Sequence, residues 1–208
     1  MRRASSRTFI PAVVSALDVS ELRAAVVDII KSRGARFGLP EPIRLASGAL
    51  SHDYIDGKRA FAQGDHLWQV ARALIELAGE EGVAYDAVGG LTMGSDPLAH
   101  AVAVLASATS PVSWFSVRKV EKDHGTKKRI EGADLGAGSS VFLVDDVVTT
   151  GGSIVEAYDA VAATGATVAL ATAVVDRGSA TARLMAEKGI RYRALLTYAD
   201  LGIEPVGT

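Results

Sequence analysis

No cysteine occurs among the 208 residues. Disulfides, thiolate metal sites and a cysteine nucleophile are therefore excluded, and the absence fits a reducing, cytoplasmic setting. Neither sign of charge prevails: 22 Lys+Arg against 24 Asp+Glu leave a net charge of −2, which argues against general binding to nucleic acid or to a membrane surface. Long apolar runs are missing too. The opening "MRRASSRTFIPAVVSALDVSEL" carries positive residues, but its apolar stretch is short and soon interrupted. A secretory signal is not expected there, nor a transmembrane helix anywhere, and residues 1–8 read as a flexible tail. Two common nucleotide-binding patterns, G-x-x-x-x-G-K-[ST] and G-x-G-x-x-G, do not occur. The four histidines show no metal-ligand spacing.

What is present is a chain long enough for one sizeable domain, with no internal repeat or linker. Asp18 and Glu21 resemble an N-cap pair before a helix in which Leu22, Val26, Ile29 and Ile30 recur at helical spacing up to Gly34. The segment "IRLASGALSHDYIDGKRA" is glycine-punctuated and partly alternating, which predicts a small β element. A helix carrying Leu67, Val70, Leu74 and Leu77 on one face follows. From there strand, loop and helix alternate. "YDAVGG" leads to "PLAHAVAVLAS", "PVSWFSV" to a polar loop, "VFLV" to "SIVEAYDAVAATG", and "ATVALATAVV" to "ATARLMAEKG", with "IRYRALLTY" as the last strand. Such alternation predicts an α/β fold, a mostly parallel sheet covered by helices on both faces.

In open α/β sheets, ligands bind beyond the carboxyl ends of the strands, and three loops at that edge are unusual. In "VFLVDDVVTTGGS", residues 141–153, Asp145 and Asp146 stand where the strand should leave the sheet. Thr149, Thr150, Gly151, Gly152 and Ser153 follow at the start of a helix, where free backbone N–H groups and the helix dipole cradle phosphate. Ser153 and Glu156 also match a capping box. Carboxylates would repel the anion the cradle attracts, so they must face sugar hydroxyls or a divalent cation. The ligand implied is a sugar phosphate, its ribose over the acids and its 5′-phosphate on the glycine turn. The second loop, "RKVEKDHGTKKRIEG" at 118–132, is cationic but lacks the interleaved aromatics of a nucleic-acid surface. Beside a phosphate site it can close over a polyanion and stabilise its departure. The third, "GGLTMGSDP" at 89–97, suits close backbone approach to an anion.

These stretches resemble a known family. "VFLVDDVVTTGGS" is similar to the phosphoribosyl pyrophosphate motif of the type I phosphoribosyltransferases. "RKVEKDHGTKKRIEG" resembles the mobile catalytic loop of the orotate branch, "SGALSHDYIDGKRA" its N-terminal hood, and "VVDRGS" its segment near the orotate pocket. The resemblance implies one phosphoribosyltransferase domain over 1–208, with the N-terminal helix and hood at about 18–60 and the mobile loop at 118–132. It implies transfer of phosphoribose to N1 of orotate with Mg²⁺, held mainly through the substrate rather than by a protein metal site. By the same resemblance Asp145 and Asp146 face the ribose, and the donor lies along Val147, Val148 and Thr149 to Ser153. Arg118, Lys119, Lys122 and His124 contact the pyrophosphate, with Lys122 the main catalytic cation. Thr149 also reaches orotate, and Arg177 pairs with its carboxylate, which a planar guanidinium suits. A cytoplasmic homodimer with shared active sites is implied.

Two departures from the family pattern stand out. The 89–97 loop carries no lysine, and Ala46 stands where many members have lysine before the Ser-Gly of the hood. Two alternatives remain: transfer to another base, or a non-catalytic nucleotide sensor. Outside the site, His52, His66 and His100 read as surface or structural, Trp68 and Trp114 as core or interface, and Met93 and Met185 as packing residues.

Overall fold

The computed structural model describes residues 19–45, 48–119 and 129–206. The first helix, α1 (Val19–Ile29), buries Leu22, Val26 and Ile29, the expected stripe, and closes in a single π-turn, Ile30–Gly34. The capping role read for Asp18 falls outside the described residues. Gly34 is held to hydrogen by its neighbours, since a Cβ there would lie 2.7 Å from Ala60 Cβ. Four two-residue strands make the hood: β1 (Ala35–Arg36), β2 (Ile43–Arg44), β3 (Leu50–Ser51) and β4 (Tyr54–Ile55). They pair antiparallel, β1 with β4 and β2 with β3. The one-turn helix α2 (Gly57–Ala60) follows, its first turn capped by Asp56 Oδ1 accepting from Arg59 N at 3.1 Å. The long helix α3 (Gly64–Glu80) then buries Val70, Leu74 and Leu77.

The sheet comprises β5 (Ala87–Leu91), β6 (Ser113–Val117), β7 (Ile130–Gly132), β8 (Ser140–Val148), β9 (Thr167–Asp176) and β10 (Leu196–Thr197), in the order β10-β9-β8-β5-β6-β7. Every pairing is parallel except β6 with β7, so the sheet is mixed, with one antiparallel edge strand. Helices α4 (Asp96–Ala106), α5 (Gly152–Ala162) and α6 (Thr181–Glu187) connect the strands, and α7 (Tyr198–Leu201) follows β10.

Alternation along β8 decides which core each residue enters. Phe142 and Val144 pack with α1, α3 and α4 on one face. Val141 and Leu143 pack with α5 and α6 on the other. This is the two-faced cover that the alternating pattern predicts.

Three expectations need correction. β8 does not end at Val144 but continues through both aspartates, pairing with β9 as far as Val148↔Asp176. Strands disfavour Asp, yet here each carboxylate accepts from the next backbone N–H, Asp146 N to Asp145 Oδ1 and Val147 N to Asp146 Oδ1, both at 2.9 Å. The segment "IRYRALLTY" is not one strand. It runs beside β9 through an isolated bridge at Tyr192 and pairs regularly only at Leu196–Thr197. The capping box of Ser153 and Glu156 is not formed either. Gly151, left-handed at φ 78°, starts α5 without a side-chain cap, and Glu156 accepts from Arg129 Nη2 at 2.6 Å instead.

Candidate active site

The carboxyl end of β8 carries the two acids into a place where three segments converge. Asp145 and Asp146 are 6% and 8% exposed. From the hood, α2 rests on Asp146: a Cβ on Gly57 would come within 2.8 Å of Asp146 Oδ2. From the β5–α4 loop, a Cβ on Gly94 would lie 2.4 Å from Asp146 Oδ1 and 3.0 Å from Asp145 Oδ1. Only glycine lets these two backbones approach so closely. The β5–α4 loop, whose Thr92–Met93 peptide is cis, is pinned by Asp96, which accepts from Thr92 Oγ1 at 2.7 Å and Ser116 Oγ at 2.6 Å.

Two adjacent acids in so dry a place do not both ionise freely. Burial, reinforced by the charge of Asp146, pushes the Asp145 carboxyl up to about 7, while the Ser153 hydroxyl pulls the other way. Asp146 has a counter-charge: Lys58 Nζ stands 3.3 Å from its Oδ2. That proximity raises the Lys58 ammonium above its ordinary range, against the opposing effect of burial. Sequence reading missed Lys58, because its neighbour lies 88 positions away; the signal was a cation in the hood motif "YIDGKRA".

Beyond the acids the chain turns through Thr149 and Thr150 into Gly151 and the start of α5. This turn rests on the segment after β9. Thr181 Oγ1 reaches the Thr149 carbonyl at 3.4 Å, and a Cβ on Gly178 would come within 1.8 Å of that oxygen. Asp176 organises the support by accepting from Gly178 N, Thr181 Oγ1 and Tyr192 Oη at 2.9, 2.9 and 3.0 Å. Burial nevertheless raises the Asp176 carboxyl, and burial, reinforced by Asp176 and Asp145, holds the Tyr192 phenol far above its usual range.

Arg177 is buried beneath the hood, donating from Nη2 to Ser51 Oγ at 3.0 Å and to the Asp53 carbonyl at 2.8 Å. Its Nε is buried without a hydrogen-bond partner among the described residues. On the other side of the β5–α4 loop, Arg118 and Lys119 line a polar cleft of about 410 Å³ with Thr92, Ser116 and Glu131. Arg129 closes the base of the 118–132 loop by donating to the Arg118 carbonyl and to Glu156. Lys122 and His124, like Ala46, lie outside the described residues. The structure thus brings together Asp145, Asp146 and the turn at 149–153, and sets Arg177 and the Arg118–Lys119 pair on either side.

The remaining expectations divide. His52 Nδ1 lies 2.6 Å from the Leu39 carbonyl at the surface, His66 Nδ1 3.2 Å from that of Ala60, and His100 meets Trp114 edge-on at 4.5 Å. Met185 is fully buried, as expected of a packing residue. Met93 is 68% exposed and is therefore not packed in the core, because its loop carries it outward from β5.

Comparison with known proteins identifies the family. Residues 62–189 match the family described as the phosphoribosyl transferase domain. The orotate phosphoribosyltransferase of Corynebacterium glutamicum (strain ATCC 13032) is 36% identical over 184 residues, spanning 88% of this chain and 96% of the relative. That of Mycobacterium leprae is 37% identical, over 77% of this chain and 87% of its own. Among solved structures, Mycobacterium tuberculosis orotate phosphoribosyltransferase in complex with Fe(III) dicitrate superposes with a TM-score of 0.73 at 34% identity, covering 88% of this chain and 99% of that one. The same enzyme in complex with 5-phospho-alpha-D-ribosyl 1-diphosphate gives 0.67 at 32% identity, covering 89% and 99%. The chain belongs to the phosphoribosyltransferase family, in the branch of the orotate phosphoribosyltransferases.

Proposed function

We propose that the chain transfers the 5-phosphoribosyl group of phosphoribosyl pyrophosphate to N1 of orotate, giving orotidine 5′-monophosphate and pyrophosphate. The observation that carries this reading is the buried pair Asp145 and Asp146 leading without a break into the glycine turn that opens α5. Hydroxyls of a ribose satisfy the acids as hydrogen-bond donors, while the 5′-phosphate takes the N–H groups from Thr150 to Ser153. Arg177 receives the orotate carboxylate; its unpartnered Nε supports this, and the Ser51–Asp53 segment must lift for the ligand to enter.

As the C1′–oxygen bond to pyrophosphate lengthens, C1′ becomes cationic and negative charge grows on the leaving group. Arg118 and Lys119, with Lys122 and His124 from the loop, stabilise that charge more in the transition state than in the ground state. Orotate N1 gives its electron pair to C1′, and pyrophosphate leaves with the pair of the broken bond. Among the described residues no three acidic or histidine side chains gather to hold a metal. Two carboxylates beside a phosphate cradle do fit Mg²⁺ that arrives on the donor, because this ion keeps much of its water and needs only one or two carboxylates. When bound, it neutralises charge on the departing pyrophosphate.

The rest of the reading follows the resemblance: one phosphoribosyltransferase domain, cytoplasmic, working as a homodimer with shared sites. No described helix is long and apolar enough to cross a membrane. The test is spectrophotometric. Orotate absorbance should fall only when donor and Mg²⁺ are both present, and Lys122→Ala should abolish most of that loss. Tight donor binding without loss of orotate would favour another base or a sensor.

A further inference from the structure

The acid pair is crowded by backbone on two sides yet meets one cation among the described residues, Lys58, and nothing in the family motif assigns that residue a role. Its position is built rather than incidental. Asp56 N donates to the Gly34 carbonyl at 2.8 Å, Asp56 caps α2, and Gly57 lies against Asp146, so the helix start is fixed on both sides. From there the Lys58 side chain, 55% exposed, runs over the acid to its 3.3 Å contact with Oδ2. A lysine so placed keeps its stem anchored and its ammonium free to change partners.

We propose that Lys58 is a pyrophosphate-binding residue of the phosphoribosyl transfer, paired with Asp146 before the donor arrives and released to it when ribose hydroxyls take over that carboxylate. The inference rests on the reading given above. Three observations point to it. Asp145, on the side of Ser153 and the glycine turn, marks where the 5′-phosphate lies, whereas Lys58 approaches Asp146 from the hood, away from that turn. The β5–α4 loop facing the same acids offers no cation, since residues 89–97 contain neither lysine nor arginine. A polyanion settling beside Gly94 therefore needs a cation from another element, and α2 presents one next to Asp146. Finally, an ammonium held by a single carboxylate exchanges that bond for one to phosphate with little loss, while a ribose hydroxyl satisfies the vacated oxygen.

The experiment is titration of inorganic pyrophosphate with Mg²⁺ into the whole protein by calorimetry, for the natural chain, Lys58→Met and Lys58→Arg, alongside steady-state kinetics. In Lys58→Met, pyrophosphate binding should weaken roughly tenfold and the KM for the donor rise by a similar factor, about the loss of one charge-assisted contact. The KM for orotate should stay within about twofold, and Lys58→Arg should recover most of the loss. Unchanged or tighter pyrophosphate binding in Lys58→Met would make Lys58 a mere counter-charge of Asp146 and overturn the proposal. So would a rise confined to the KM for orotate. Should Lys58→Met fail to fold, Lys58→Arg and Lys58→Gln decide by the same titration: equal pyrophosphate affinity in the two overturns the proposal. Pyrophosphate binding is read without turnover, so a natural chain that does not consume orotate refutes the assigned reaction and leaves the Lys58 result legible.

Discussion

At the scale of single residues the site is governed by the proton on Asp145. Its carboxyl lies at about 7 in the folded chain against 3.8 as the ordinary value, because it is buried next to Asp146. Between those two values the folded state binds more protons than the unfolded one, so this group's contribution to stability is full below pH about 4 and is lost as pH rises through about 7. On the proposed reading donor binding has the opposite sign, since the ionised acid is the better acceptor for ribose hydroxyls. Urea unfolding from pH 4 to 8 should show a decline in the natural chain that Asp145→Asn flattens, and calorimetry near pH 6.5 should show proton release when the donor binds. An unchanged slope in Asp145→Asn would place the titration elsewhere. Lys58 belongs to the same scale: its ammonium, 3.3 Å from Asp146 Oδ2, is the counter-charge beside the pair.

At the scale of elements, the turn at 149–153 is only as rigid as the segment beneath it. Gly178 has backbone against it, the Thr149 carbonyl 1.8 Å from where a Cβ would stand. Gly151 meets side chains instead, Met185 Cε at 2.8 Å and Thr181 Cγ2 at 3.0 Å, but carries a positive φ of 78°. Gly178→Ala must push the turn itself, whereas Gly151→Ala pays chiefly for a left-handed backbone, about 1 kcal/mol, and shifts side chains that can move. Gly178→Ala should therefore lower the urea midpoint further and raise the KM for the donor more. The reverse order would mean that the turn yields more readily than the Met185 packing.

This support was not legible in the sequence, although much around it was. Helices α1 and α3 announced themselves through apolar spacing, because burial of one face leaves a periodic trace, and α4 and α5 through the alternation of strand, loop and helix. The acids and the glycine turn were legible for a different reason, that no ordinary turn needs them together. The course of β8 through Asp145 and Asp146 was hidden, since it rests on each carboxylate accepting from the next residue's backbone N–H, which the residue types alone do not announce. So were the contacts of Lys58 with Asp146 and of Arg177 with Ser51, which join positions 88 and 126 residues apart. Spacing along a chain carries no information about such pairs until the sheet order is known.

At the scale of the whole molecule, one exposed surface among the described residues is apolar. Leu67, Trp68, Pro97, His100 and Val104 line a groove of about 470 Å³ between α3 and α4, and Val104 is 75% exposed. Trp114, 41% exposed, touches His100 and lies on β6, the strand that delivers Arg118 and Lys119 to the cleft. Met93, also exposed, sits in the loop that faces the acids. A hydrophobic surface continuous with the base of the catalytic loop is what a second copy must cover if that loop is to serve its neighbour's site. If the chain pairs as proposed above, this is the face its second copy would cover. Val104→Glu would bury a charge in the contact without touching a residue of the cleft, and a buried unpaired carboxylate strongly disfavours association. Light scattering should show a dimer for the natural chain and a monomer for Val104→Glu. Turnover of the variant should be lost with the dimer, while its circular dichroism stays native. A variant that remains dimeric, or a monomer that keeps full turnover at every concentration, would show that the face serves some other contact or that each chain completes its own site.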